Sequence, residues 1–195
     1  MKTRQGMLIW LAVGMLYACS NDKYKTIPPE QAKDMGKKAI MALGSTLLQE
    51  VSQALAKDTT GVGAIQYCNI HALPLTDSIN ASLGDTIRVR RTALRVRNPK
   101  NTPDDIDVKV MQELQRSQTH DLYFYDDPNL AEYRVYKPLY IMSMCLKCHG
   151  PVDNIHPAVQ QVLKEKYPQD RAVNFELGDF RGVIVAEIPK KVPLK

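Results

Sequence analysis

The stretch Arg181-Gly182-Val183-Ile184-Val185-Ala186-Glu187-Ile188 sets the architecture. Val183 to Ala186 are apolar on both parities, so both faces of this strand are covered and it belongs in the middle of a sheet. The run before it, Ala172 to Leu177, also reads as strand, and Gly178-Asp179 would join the two as a terminal hairpin. Further upstream, Leu122 to Tyr125 and Tyr133 to Ile141 are strand-like and rich in aromatics, separated by Asp126-Asp127-Pro128-Asn129. Thr86 to Arg97 reads as another strand. Its apolar phase flips between Ile87/Val89 and Leu94/Val96, which predicts a bulge or bend near Arg91 to Ala93.

Helical periodicity surrounds these strands. Met35, Ala39, Leu43, Leu47, Val51 and Leu55 recur at four-residue steps and mark a long helix over about Glu30 to Lys57, after Pro28-Pro29. A second helix is expected from Ala64 to Leu83, kinked or divided by Pro74. Asn98 to Asn101 is a turn. Pro103-Asp104-Asp105 starts a helix to Ser117, with Ile106, Val110, Met111 and Leu114 on its buried side. His156-Pro157 opens another, to Tyr167. The order predicts an α+β fold: one antiparallel sheet flanked by helices, with a long N-terminal helix.

Chemistry is concentrated in Cys145-Leu146-Lys147-Cys148-His149. Two cysteines two residues apart, with histidine next, form the attachment signature of a c-type haem. Each thiol adds across one vinyl group of the ring, and the adjoining imidazole ligates the iron. The expectation is one covalent haem c, on Cys145 and Cys148, with His149 on the metal. Three other readings compete. A zinc site needs two further ligands, and no second paired motif is present. A redox dithiol belongs at a helix start within a βαβ unit, a pattern missing here. A plain structural disulfide is the third.

The N-terminus reads as a processing segment. Lys2 and Arg4 precede the 12 apolar or small residues Met7 to Ala18, a run too short to span a bilayer. It ends Leu16-Tyr17-Ala18-Cys19, which resembles a bacterial lipobox and implies cleavage before Cys19 and lipidation of its sulfur. The expected organisation is a signal peptide over 1–18, a tether over 19–27 and a single domain over 28–195. Several acyl chains anchor stably. Ser20, rather than Asp, follows the lipidated residue, so the expected place is the cell envelope, at the outer membrane facing the periplasm. The chain of 195 residues carries 26 Lys+Arg against 21 Asp+Glu. Without Lys2 and Arg4 the balance falls to +3, which is not that of a nucleic-acid binder. Once Cys19, Cys145 and Cys148 are assigned, Cys68 is left over, and a lone thiol in an oxidising compartment is buried or used.

Several blocks occur together: Ala64-Ile65-Gln66-Tyr67-Cys68-Asn69, Arg91 to Asn101 with Pro103-Asp104-Asp105, Cys145 to Gly150, Tyr167 to Ala172, and Leu177 to Gly182. They resemble a family of bacterial c-type haem domains with a PAS-like fold, which often form the extracytoplasmic sensor part of histidine kinases. The resemblance implies two axial ligands, His149 as the proximal histidine and Cys68 as an unusual distal thiolate. Ala93 stands where the family carries serine. From the residues alone, Met142, Met144, His71 and His156 are other candidates for the sixth position. Haem propionates need compensating charge, and Arg suits carboxylates. Arg91 and Arg97 are the expected partners. Of Tyr123, Tyr125, Tyr133, Tyr136 and Tyr140, most are expected to build sheet and core, and some to touch the porphyrin.

The chain closes soon after its last strand, with no kinase, methyl-accepting or cyclase output segment. The expectation is therefore a redox or small-gas sensor module, not an enzyme, that acts through a separate signalling or redox partner. The alternative is an electron-transfer cytochrome of the cell envelope. A peroxidase would need a distal Arg-His pair that the sequence does not offer.

Overall fold

The computed structural model describes residues 23–194. The expected signal segment and Cys19 lie outside them. Two short strands, β1 (Tyr24–Thr26) and β6 (Lys191–Pro193), pair antiparallel and bring the two ends of the described chain together. Ile27 is buried, and its amide donates to Lys190 O at 2.9 Å. The last residues of the expected tether are thus part of the fold.

Helix α1 (Pro29–Lys57) starts with Pro29 in its first turn, after an extended Pro28, and Glu30 follows, favourable at a helix N-terminus. Ala32, Gly36, Ala39, Ile40, Leu43 and Leu47 are its buried positions. Gly36 is a requirement of packing: a Cβ there would lie 2.5 Å from Val135 Cγ2. The stripe continues through Val51 and Leu55, but these are only half-buried, because that end of the helix borders a cavity.

Four strands form the main sheet: β2 (Arg88–Thr92), β3 (Tyr123–Tyr125), β4 (Glu132–Tyr140) and β5 (Phe180–Pro189), in the order β2-β5-β4-β3 and antiparallel throughout. β5 is the central strand, as its double-sided apolar pattern required, and Val183 to Ala186 are all buried. One face packs under α1 through Val89, Val135, Ile184, Ala186 and Ile188. The other packs under α4 (Asp105–Ser117), where Val110, Met111 and Leu114 meet Tyr136, Val183 and Val185. Helix α4 opens with a reciprocal cap: Asp104 accepts from Asp107 N, and Asp107 accepts from Asp104 N.

The expected second helix is divided into α2 (Val62–Ile70) and α3 (Ala72–Leu83), with the break at His71 and Pro74 in the first turn of α3. Helix α5 (Leu146–His149) carries the cysteine motif and follows a 3-10 turn at Ser143–Cys145. Helix α6 (Pro157–Lys166) packs on α2 through Ile65, Val159 and Leu163. Antiparallel sheet, flanking helices and long first helix are as expected from the order of elements.

Two strand expectations are corrected. Ala172 to Leu177 is irregular, so no terminal hairpin forms. Asn174 sits at φ 57°, and the amides of Asn174 and Phe175 donate to Gly150 O and His149 O instead of to a strand. The strand expected over Thr86 to Arg97 stops at Thr92, inside the predicted bend. Beyond it the chain turns over Gly182, which has φ 147° and where a Cβ would lie 2.5 Å from Thr92 O.

Candidate cofactor site

A cavity of about 720 Å³ opens between the second half of α1, the α1 side of β2 and β5, α2, and the segment that carries the cysteine motif. It falls within the roughly 300–1,000 Å³ usual for small-molecule and cofactor sites. Its walls are largely aliphatic, with Ile40, Leu47, Ile65 and Ile184 among them. Cys145, Cys148 and His149 form one side. Cys68, on α2, lines the same cavity. Cys68 and Cys148 also pack against one apolar cluster, that of Ile65, Val159 and Tyr167. The described cysteines are all free.

The tautomer of His149 follows from its partner. Its Nδ1 lies 2.6 Å from Ala172 O. A carbonyl only accepts, so Nδ1 carries the proton and Nε2 keeps a lone pair for a metal. Burial, then the charges of Arg97 and Arg181, hold the imidazole well below the usual histidine range, so it is neutral. Burial pushes Cys148 up to about 11, and pushes Cys68 up against the opposing pull of Arg91 and Arg97. All three groups are therefore in the neutral form that precedes addition or ligation.

Arg91 and Arg97 both reach the cavity, in different states. Arg91 Nε is buried without a hydrogen-bond partner, and a buried donor left unmade costs about 1–3 kcal/mol. Arg97 is engaged within the protein: Nε pairs with Asp170 at 2.9 Å, and Nη2 donates to Cys148 O at 2.6 Å and Ala172 O at 3.0 Å. Of the other candidates for a second axial position, Met142 and Met144 line the cavity. His71 is exposed and packs against the Tyr67 ring, and His156 caps α6 by accepting from Ala158 N. Neither lines the cavity.

The tyrosines divide between the two faces of the sheet. Tyr123, Tyr125 and Tyr136 pack beneath α4, and Tyr133 lies in the α1 core. Tyr140 alone of the five reaches the cavity, joined by Tyr167. Sequence pattern alone points to no role for Arg181, yet it lines the cavity too. Strict alternation along β5 would put it under α4 with Val183 and Val185. A register shift between Leu139 and Tyr140, next to Gly182, breaks that alternation. Burial, then the charge of Arg97, lowers Arg181 to about 10.

The residues suit the haem that the motif implies. Two thiols and a lone-pair imidazole line one wall, a third thiol lines another, and Arg91, whose Nε has no hydrogen-bond partner, belongs to the same lining. Among the described residues no three His, Cys, Asp or Glu side chains converge as ligands of a bare metal ion, so the zinc reading has no support here.

Comparison with known families gives a match to Tll0287-like over residues 24–189. The chain belongs to the Tll0287-like family. Among solved structures, the crystal structure of the cyanobacterial heme-protein Tll0287 is similar, with a TM-score of 0.64 and 24% identity, covering 87% of this chain and 100% of that one. That likeness establishes a shared fold. No curated protein matches this chain.

Proposed function

We propose that this member of the Tll0287-like family is a lipid-anchored c-type haem protein of the bacterial cell envelope, serving as a redox or small-gas sensor module through a separate partner. The observation that carries the reading is one cavity lined by both motif thiols, by His149 with Nε2 free, by Cys68 and by the unpartnered Arg91. The haem character of the structurally similar cyanobacterial protein supports it. Cys145 and Cys148 would hold the ring by thioethers, His149 and Cys68 would hold its iron, and Arg91 would meet a propionate. Bound haem supplies a one-electron iron centre. The chain supplies a dry apolar wall, a fixed imidazole and a thiolate that favours the ferric state. Cys68 would hold ferrous iron more weakly than ferric, so its bound and released positions would give a two-state element for a partner to read. The protein carries no catalysis of its own in this reading.

Acid-acetone extraction of protein made in a strain with periplasmic haem-attachment machinery tests it. The haem is expected to stay with the polypeptide, and quantitative extraction would end the proposal. Cys19→Ala is expected to release the protein into the soluble fraction, and membrane retention after a high-salt wash would remove the anchor.

One observation favours the electron-transfer alternative. The residues at the cavity mouth are open to solvent, with Met41 60% and Met142 45% exposed, as suits a cofactor edge that meets a redox partner. Cys68→Ala separates the readings. A raised midpoint potential and high-spin ferric haem support the sensor. Wild-type spectra would shift the sixth ligand to Met142 or Met144 and favour the carrier.

A further inference from the structure

We infer that Arg97 is a positioning residue for His149, acting through the Ala172 carbonyl. The inference rests on the haem reading above and deepens it. Ala172 O is shared: His149 Nδ1 donates to it at 2.6 Å and Arg97 Nη2 at 3.0 Å. The same Nη2 donates to Cys148 O at 2.6 Å, within the motif itself. Asp170 fixes the other side of the guanidinium through Nε at 2.9 Å, and its second oxygen accepts from Ala172 N at 2.7 Å. Asp170, Arg97 and Ala172 thus close a ring of hydrogen bonds, to which His149 is joined at the Ala172 carbonyl.

The surrounding contacts keep that ring rigid. Phe175 N donates to His149 O at 3.0 Å, and the Phe175 ring stands edge-on to the imidazole at 83°. Arg95 lies over the Phe175 ring, with its guanidinium carbon 3.9 Å from the ring centre. Arg97 itself is only 8% exposed, and its Nε and Nη2 are spent on these bonds.

Two consequences follow for the ligand. The imidazole is held in one orientation, because the carbonyl it bonds cannot swing. The carbonyl is also a weaker acceptor than a free one, because a charged guanidinium already draws on it. His149 therefore has less imidazolate character and stabilises ferric iron less than it otherwise would. Lysine at position 97 would keep the charge but lose the fork that reaches Asp170 and two carbonyls at once.

The test compares ferric electron-spin resonance spectra and midpoint potentials of wild type, Arg97→Lys and Asp170→Asn. Wild type is expected to give a single low-spin species. Both variants are expected to retain covalent haem, show several low-spin species, and have midpoint potentials different from wild type, with Arg97→Lys lower. Arg134→Lys, on the opposite sheet face, serves as the control for general loosening and is expected to lower thermal stability with the haem signals unchanged. A single unshifted species and an unchanged potential in both Arg97→Lys and Asp170→Asn would overturn the positioning role. So would an equal spectral change in Arg134→Lys. Wild-type protein without covalent haem would instead remove the haem reading on which the inference rests.

Discussion

On the α4 side of the sheet, Arg90 and Arg134 are paired with Asp104 and Asp107, and each also pairs with a glutamate, Glu187 for Arg90 and Glu132 for Arg134. Around the cavity, Arg91, Arg97 and Arg181 have a single carboxylate partner among the described residues, Asp170 on Arg97. Arg181 donates to a backbone carbonyl, and Arg91 Nε has no partner. The difference separates structure from site. A buried charge cluster that satisfies itself fastens two elements together, and here it docks α4. A cluster short of anions is costly to bury, and in the proposed reading the two propionates of a haem would supply the missing charge.

The sharpest division between the regions comes from removing the attachment thiols. The Cys145→Ala/Cys148→Ala double variant is expected to lose all covalent haem on a haem-stained denaturing gel, while its α4 face stays folded by hydrogen exchange. On the other face, Asp107→Ala leaves two guanidinium groups and the Tyr136 hydroxyl without their shared buried acceptor. It is expected to destabilise the protein by about 3–5 kcal/mol in denaturant unfolding, with the spectrum of the surviving folded haem protein unchanged. Loss of haem signal at equal folding would break the comparison.

The two regions were not equally legible in the sequence. Helix α4 and the strands β4 and β5 follow from period and capping residues, because local pattern and burial agree there. The cavity was legible only in part. The cysteine motif and Cys68 were visible, but Arg181 was not, since a register shift at Tyr140 breaks the alternation that would place it. The alternating pattern of Ala172 to Leu177 imitated a strand. Its backbone groups are spent on the motif instead, through Ala172 O to His149 and Phe175 N to His149 O. The charge of Arg97 points to a propionate, and only the fold brings Asp170 and two carbonyls to it.

A smaller and opposite effect is expected at Arg91. Arg91→Met removes the buried donor without a partner and should stabilise the haem-free protein by about 1–3 kcal/mol, while lowering the yield of haem-loaded protein. Destabilisation of the haem-free form would mean that Arg91 is a structural cation like Arg90. The mildest effect is in acid. Burial raises the Asp104 carboxyl, but hydrogen bonds from Asp107 N and Arg134, with the charges of Arg134 and Arg90, outweigh it and leave the group below its ordinary value. A depressed carboxylate contributes stability above its unfolded pKa of about 3.9, and that contribution is lost as pH falls through the folded value. Thermal midpoints measured from pH 5 down to pH 2 should therefore fall more for wild type than for Asp104→Asn. Parallel curves would detach Asp104 from the paired cluster.

Anomalous scattering at the iron edge from a crystal of the haem-loaded protein tests the central claim most directly. The account predicts a single iron peak inside the cavity, at ligand distance from His149 Nε2 and Cys68 Sγ. A peak on the α4 face, or one ligated by Met142 or Met144 with Cys68 turned away, would contradict it.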